Sequence, residues 1–298
     1  MKGLAQRQLV VVTGKGGVGK TTLAACLGRL LAAQGRRVML LEVDPRQNLH
    51  HLLGVPPTDG AIAEAGDRLW LQNLQPRGVL EDLVRQKLKV AALSNRVIAS
   101  PIFQHFADGA PGLKEMALLG HALRLARGDL KLKVDTVVLD APATGHSVSL
   151  LAAPLVVSEV IEKGPVGALA REVAEFVADQ KRVAVVIAAL AEEMPVQETL
   201  ELIALLEARL GRPPELVVVN GLYPALPRLT TETPRGAEAA MDLWRQRRSA
   251  NDRELARLRD AWKGPLLELP LLPMDRGAEL VAALTETLAG AWANGRGR

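Results

Sequence analysis

A glycine-rich loop near the start of the chain is the feature that most constrains its fold. The loop reads Gly14-Lys-Gly-Gly-Val-Gly-Lys-Thr-Thr22, follows the apolar run Gln8–Val12 and opens a helical stretch over about 19–33. It satisfies the pattern G-x-x-x-x-G-K-[ST] in the strand–loop–helix context that gives this pattern its meaning. Glycines let backbone N–H groups turn inward around phosphates, and a helix N-terminus adds the positive end of its dipole. The sequence therefore predicts a nucleotide phosphate site after the first strand.

The loop assigns roles to individual side chains. Lys20 is expected to reach the β- and γ-phosphates and to assist catalysis, and the Thr21 hydroxyl is expected to bind Mg²⁺. The predicted nucleotide-binding residues of the loop are Gly14, Lys15, Gly16, Gly17, Val18, Gly19, Lys20, Thr21 and Thr22.

The rest of the chain alternates β-branched runs with helical stretches, which is typical of a doubly wound, mostly parallel α/β sheet. We expect one domain over residues 1–298, with helical additions over about 76–132 and 154–182. A final helix over about 277–292 is expected to pack its leucines on the core rather than on a membrane. The other predicted strands are Arg37–Glu42, Leu69–Gln72, Val134–Leu139, Val183–Ile187, Leu216–Val219 and Leu266–Leu269.

Composition excludes several function classes. The one cysteine, Cys26, excludes an intrachain disulfide framework and a metal site built from several cysteines of this chain. The first residues lack a secretory pattern, and no apolar run reaches about 18 residues, so we expect a cytoplasmic protein. The formal net charge of +4 is weak evidence for an acidic partner, and the 3% of aromatic residues argues against a stacking surface for single-stranded nucleic acid.

Two carboxylates follow predicted strands. Asp44 comes after the second strand, where an α/β sheet places groups that handle ligands, although an Asp-Pro pair also starts turns. Asp140 ends an apolar strand, a position from which a carboxylate meets Mg²⁺ directly or through water.

The position of Lys15 makes the glycine loop resemble the deviant phosphate loop of the SIMIBI class of P-loop ATPases. Members of that class form dimers that sandwich nucleotides. The resemblance implies that Lys15 reaches the partner's phosphates and acts in catalysis, adding positive charge where phosphoryl transfer develops negative charge. The alternative is an exposed loop lysine.

Two segments resemble the switches of the arsenical pump and guided-entry ATPases. Leu41–Leu49 is similar to switch I, S-T-D-P-A-H-N-L-S, which implies that Asp44 activates the attacking water and contacts Mg²⁺ through water, with Asn48 as a switch residue. Arg46 and Gln47 depart from that pattern. Asp140-Ala-Pro-Ala-Thr-Gly-His146 is similar to switch II, which implies that Thr144, Gly145 and His146 sense the γ-phosphate.

Two more segments resemble the base-binding parts of that family. Val217–Pro224 is similar to the strand whose asparagine reads the adenine edge, and Asn220 can both donate to and accept from adenine. Leu269–Pro273 is similar to the loop that closes over the base, which adds Pro273 to the nucleotide-binding residues.

The resemblance implies a Mg²⁺–ATP-hydrolysing dimeric switch, built as a homodimer or as a heterodimer with a paralogue. Its expected partners are a hydrophobic or tail-anchored client and a membrane receptor. Because Cys26 stands alone, we expect no zinc or metalloid site. The segment after Asp140 is short and poor in methionine, so the alternative is a regulatory or positioning ATPase acting on a soluble partner, DNA or a membrane surface.

Overall fold

Eight strands form one sheet in the computed structural model, which describes residues 3–44, 46–88, 90–142, 147–225 and 237–293. The strands are β1 (Leu9–Thr13), β2 (Val38–Glu42), β3 (Ala63–Gly66), β4 (Leu69–Asn73), β5 (Thr136–Asp140), β6 (Val183–Leu190), β7 (Leu216–Leu222) and β8 (Leu266–Pro270).

The strand order across the sheet is β3-β4-β2-β5-β1-β6-β7-β8, and all neighbours are parallel except β3 and β4. Every residue of β1, β2 and β5 is buried, as expected for a parallel sheet covered on both faces. The predicted doubly wound, mostly parallel α/β fold is therefore confirmed.

Helices cover both faces of the sheet. One face carries α1, α2 and α11, and the other carries α3 and α5–α10, with a separate apolar cluster beneath each layer. The helices are α1 (Lys20–Ala33), α2 (Asn48–Leu53), α3 (Pro76–Leu88), α4 (Ala91–Ile98), α5 (Pro101–Gly109), α6 (Leu113–Arg127), α7 (Ser147–Val160), α8 (Gly164–Ala178), α9 (Glu193–Leu210), α10 (Ala237–Ala261) and α11 (Ala278–Ala293).

The structure differs from the predicted elements at β3 and at the start of α7. Strand β3 is absent from the prediction because Ala-Glu-Ala-Gly lacks β-branched and aromatic residues; it pairs antiparallel with β4 at the sheet edge. Helix α7 begins at Ser147 and passes through Pro154, whereas the predicted addition begins at that proline. The final helix does pack on the core, through buried Val281, Leu284 and Leu288.

The long helix α10 is charged and largely exposed. Its arginines pair with acids one turn away, as in Arg245–Asp242 and Arg248–Asp252. Such pairs contribute little to stability individually and are typical of a solvated helix face. Among the described residues, we find no helix with both the length and the apolar character needed to cross a membrane.

Candidate functional site

The predicted phosphate loop lies at the carboxyl edge of the sheet, where three parallel strands end side by side. Strand β1 lies between β5 and β6. The chain runs from β1 to β2 on the β5 side and later crosses from β5 to β6 on the other side, so the direction of winding reverses at β1. Ligands bind α/β sheets at such a reversal point. A cavity of about 830 Å³ opens there. Its lining is Gly17, Gly19, Lys20, Thr21, Thr22, Val43, Asp44, Arg46, Asn48, Asp140, Ala141, Pro142 and Arg276.

Two glycines of the loop are required by both conformation and space. Gly14 has φ +139°, and a Cβ there would stand 2.3 Å from the Ala188 carbonyl oxygen. Gly19 has φ +92°, and its Cβ would stand 2.2 Å from Asn220 Nδ2. Both values of φ are unfavourable for residues with side chains. Gly19 also precedes α1 without a capping side chain, which leaves the first N–H groups of the helix for an anion.

Lys20 begins α1 and is buried beside the cavity that it lines. Its Nζ donates to the Lys15 carbonyl oxygen at 2.8 Å. Burial lowers the pKa of Lys20, and the neighbouring Asp140 carboxylate opposes this shift. A partly desolvated ammonium with one neutral acceptor is suited to bind phosphate oxygens.

Asp140 lies opposite Lys20 at the end of β5. Burial raises its pKa to about 6, while the Thr21 hydroxyl and the Lys20 ammonium act in the other direction. Its Oδ1 is buried without a hydrogen-bond partner among the described residues. An unpaired carboxylate oxygen beside a hydroxyl fits Mg²⁺, which takes oxygen ligands.

The predicted Mg²⁺ site has few protein ligands. Within the described ranges, no cluster of three or more His, Cys, Asp or Glu could hold a metal ion. Mg²⁺ in nucleotide sites uses one or two carboxylates together with substrate phosphates, so the predicted ligands Thr21 and Asp140 would need a bound nucleotide to complete the site.

Asp44 follows β2 and is held by hydrogen bonds from three partners. Its Oδ1 accepts from the Arg46 backbone N–H at 2.9 Å, and its Oδ2 accepts from Asn48 Nδ2 at 3.1 Å. Its carbonyl oxygen accepts from Asn73 Nδ2 on β4. These bonds keep the carboxylate facing the cavity.

Glu42 is a second carboxylate on β2, and it is not among the predicted site residues. It is fully buried, and both of its carboxylate oxygens accept from the Leu49 backbone N–H in the first turn of α2. Burial raises its pKa to about 7, with Asp140 and Asp44 acting in the same direction. The switch I pattern has a serine at the position of Glu42. This difference is the sequence signal that could have revealed Glu42.

Arg276 is the second residue that the sequence analysis misses. It lies between β8 and α11, lines the cavity, and donates from Nη2 to Asn48 Oδ1 at 3.1 Å. It lies 228 positions from Asn48 in the chain, and no local pattern connects the two.

The two residues predicted to bind the base lie outside the lining of the 830 Å³ cavity. Asn220 packs against the phosphate loop, where its Nδ2 donates to the Val18 carbonyl oxygen at 3.1 Å. Pro273 lines a separate cavity of about 330 Å³ together with Trp244 and Met274. Adenine recognition by Asn220 and Pro273 stays a prediction.

Lys15 is not part of the cavity lining, and its side chain contacts α9. Its Nζ lies 2.5 Å from Glu198 Oε1, while half of the Lys15 side chain remains exposed. Gly16 and Val18 complete the loop: a Cβ on Gly16 would meet nothing within 4 Å, and the Val18 side chain is buried. The predicted switch II residues Thr144, Gly145 and His146 lie outside the described residues.

The family is decided by comparison with known proteins. The model of a family described as "Anion-transporting ATPase" matches residues 7–166, more than half of the chain. The chain belongs to the anion-transporting ATPase family. The match covers the phosphate loop, Asp44 and Asp140, and it confirms the family predicted from the sequence.

Individual members of this family show how far the similarity reaches. The protein "ATPase BagA" of Mycobacterium tuberculosis is 35% identical over 229 residues, covering 73% of this chain. "ATPase GET3" of Podospora anserina is 28% identical over 163 residues, and "ATPase asna-1" of Caenorhabditis elegans is 29% identical over 164 residues. These alignments cover 54% and 52% of this chain. The chain spans 66% of the mycobacterial relative and 47% of each of the other two.

Proposed function

We propose that this member of the anion-transporting ATPase family hydrolyses Mg²⁺–ATP and uses hydrolysis to switch a dimer between two states. One observation carries the proposal: Lys20, Asp44 and Asp140, from three different segments, face one cavity at the N-terminus of α1. The three relatives are all named as ATPases, which supports the same reaction.

The binding step uses the phosphate loop and the residues beside it. The N–H groups at the start of α1 and the Lys20 ammonium hold the phosphates. Thr21 and Asp140 hold Mg²⁺, which would neutralise charge on the phosphate oxygens. The absence of a hydrogen-bond partner for Asp140 Oδ1 among the described residues supports this assignment.

The hydrolysis step assigns Asp44 to the attacking water. Its carboxylate orients the water or accepts its proton as the water oxygen bonds to the γ-phosphorus, and the bond from that phosphorus to the ADP oxygen breaks. The two hydrogen bonds from Arg46 N–H and Asn48 Nδ2 support the role because they hold the carboxylate in one orientation.

The dimer step uses Lys15. In the described chain its ammonium pairs with Glu198 and remains half exposed, so little has to be broken for it to reach a second subunit. There it would add positive charge to the partner's phosphates. The second subunit is another copy of this chain or a paralogue.

The helices on one face offer a surface for a hydrophobic client. On α7, Leu155 and Val156 are each 47% exposed and Val160 is 77% exposed, while Val90 and Leu93 are exposed at α4. The three exposed apolar side chains of α7 lie on one helix, and exposed apolar side chains grouped in this way often mark interaction sites. We propose that the ATP-bound dimer uses this surface to capture a hydrophobic or tail-anchored segment, which hydrolysis then releases.

The first experiment compares Asp44→Asn with the wild-type protein. The variant should bind ATP with unchanged affinity, hydrolyse it about a hundredfold more slowly, and remain dimeric in Mg²⁺–ATP by light scattering. Asp67→Asn is the matched control because that carboxylate is almost fully exposed and lines no part of the cavity. Wild-type turnover by Asp44→Asn would refute the assigned role.

The second experiment tests Lys15 and the client surface separately. Lys15→Ala should lose turnover and ATP-dependent dimerisation together; normal hydrolysis would rule out the nucleotide-sandwich dimer.

Val160→Asp should keep hydrolysis. When it is added to Asp44→Asn, which is trapped in the ATP-bound state, it should abolish crosslinking to a peptide with one transmembrane helix. Failure of that peptide to crosslink, with a single soluble protein bound instead, would favour a regulatory ATPase.

A further inference from the structure

The loop between β8 and α11 contacts the switch I segment through one side chain. Arg276 Nη2 donates to Asn48 Oδ1 at 3.1 Å, and both residues line the same cavity as Lys20. Asn48 is the first residue of α2, four positions after Asp44. The contact therefore connects a distant loop to the carboxylate proposed to activate water.

The chemistry of the two partners determines which way the Asn48 amide points. A guanidinium only donates hydrogen bonds, so Arg276 must face the oxygen of the amide. The NH₂ group of Asn48 then faces Asp44, and Asn48 Nδ2 donates to Asp44 Oδ2 at 3.1 Å. Without Arg276, the amide loses the contact that distinguishes this orientation from the flipped one, in which two oxygens would face each other.

The orientation of Asn48 matters because Asp44 depends on few donors. Apart from Asn48, the Asp44 carboxylate accepts only from the Arg46 backbone N–H among the described hydrogen bonds. If the Asn48 amide turns, one oxygen of the carboxylate loses its partner, and the carboxylate can rotate away from the bound water.

We propose that Arg276 is a positioning residue, which holds Asn48 in the orientation that aims Asp44 at the attacking water. The inference rests on the proposed ATPase function and adds a residue to it from outside the recognised motifs. Arg276 acts through Asn48 and does not itself take part in proton transfer.

The contact should affect turnover much more than stability. Arg276 is exposed and Asn48 is partly exposed, so water can replace the hydrogen bond when the arginine is removed. A small displacement of a catalytic group, by contrast, strongly lowers the rate.

The experiment is a double-mutant cycle with Arg276→Ala, Asn48→Ala and the double variant. Turnover is measured at saturating Mg²⁺–ATP, affinity with a fluorescent ATP analogue, and folding by thermal midpoint. We expect Arg276→Ala to lower kcat on the order of tenfold, with affinity and thermal midpoint little changed. The double variant should be no slower than Asn48→Ala alone, and Arg276→Lys should restore part of kcat because lysine can donate to the same oxygen.

Two further variants separate positioning from charge. Arg46→Ala removes another cation that lines the cavity but keeps the backbone N–H that contacts Asp44, so an effect of its charge should persist in the Asn48→Ala background. Arg253→Ala on α10 is a remote control with unchanged turnover, since its side chain contacts Ser249.

Four results would overturn the inference. Wild-type kcat in Arg276→Ala would remove any role, and an undiminished Arg276→Ala effect in the Asn48→Ala background would assign a direct contact with nucleotide. A loss of affinity equal to the loss of kcat would make Arg276 a binding residue. Absence of Mg²⁺-dependent ATP turnover in the wild-type protein would refute the ATPase function itself, and this inference with it.

Discussion

The cavity at the carboxyl edge and the helical layer on α3 and α5–α10 are stabilised in opposite ways. Around the cavity, buried polar groups lack full compensation: Lys20 has one neutral acceptor, and Asp140 Oδ1 has no partner among the described residues. In the helical layer, apolar side chains such as Phe176 and Val173 are buried against the sheet. The cavity therefore holds groups that lower stability in the absence of a ligand, and the helical layer supplies stability to offset them.

The comparison predicts that substitutions in the two regions have different consequences. Near the cavity, a change should remove activity and leave stability unchanged or increased. In the helical layer, a change should lower stability and leave the turnover of folded protein intact.

Lys20→Met should show the largest effect on activity. The methionine keeps much of the buried stem but removes the charge that binds phosphates, so hydrolysis should fall by about a thousandfold or more. Because burial already lowers the pKa of Lys20, removing the ammonium should not lower the thermal midpoint measured without nucleotide. Lys263→Met is the control, since that side chain is largely exposed. A strong destabilisation by Lys20→Met would break the comparison.

Phe176→Ala should show the largest effect on stability. Phe176 on α8 is 1% exposed, and its ring lies 4.5 Å from the Arg182 guanidinium carbon. Truncation should lower the free energy of unfolding by about 3–5 kcal/mol through loss of burial and creation of a cavity. Urea unfolding measures this loss, and Phe176→Leu should lose much less. A kcat that falls in parallel in the folded fraction would show that the helical layer also shapes the cavity.

The same contrast explains what could be predicted from the sequence. The residues from Gly14 to Thr22 form one contiguous pattern whose chemistry restricts every position, and the strands of the buried sheet are continuous apolar runs. The helical layer is restricted only by the need to cover the sheet, so its extent could be approximated, but the start of α7 at Ser147 could not. Arg276 and Asn48 meet because α11, which follows Arg276, packs beside α2, and no local pattern reports such a contact.

Glu42→Gln tests whether the cavity carries a destabilising charge. Because burial raises the pKa of Glu42 from 4.5 to about 7, the folded state binds more protons than the unfolded state between these values. The contribution of Glu42 to stability therefore falls as pH rises from about 4.5 to 7, and the loss is complete above that range.

Glutamine can still accept from Leu49 N–H, so Glu42→Gln should be more stable than wild type by up to about 3 kcal/mol at pH 8 and nearly equal at pH 4.5. Urea unfolding at both pH values measures this, with Glu64→Gln on the exposed edge strand as control. A variant that is equally destabilised at both pH values would show that the carboxylate stabilises α2.

His121→Gln tests the helical layer by the same method and should give a smaller effect of opposite sign. His121 on α6 contacts Gln72 Oε1 at 3.1 Å, while Gln72 Nε2 donates to the Gly60 carbonyl oxygen. The amide oxygen can only accept, so His121 donates from Nε2 as a neutral ring. Burial lowers its pKa to about 4, with Arg124 acting in the same direction.

Because the pKa of His121 is about 4 in the folded state and near 6.5 in the unfolded state, the unfolded state binds the proton first on acidification. Wild-type stability should therefore fall as pH drops from about 6.5 to 4, by about 1–2 kcal/mol after allowance for the partial exposure of the ring. His121→Gln removes this proton, so its stability should vary less over that range in urea unfolding. His105→Gln, at an exposed position on α5, should leave the wild-type slope unchanged. If the stability of His121→Gln depends on pH as steeply as that of wild type, the acid sensitivity comes from other groups. In that case a buried titratable group affects stability at the cavity and not in the helical layer.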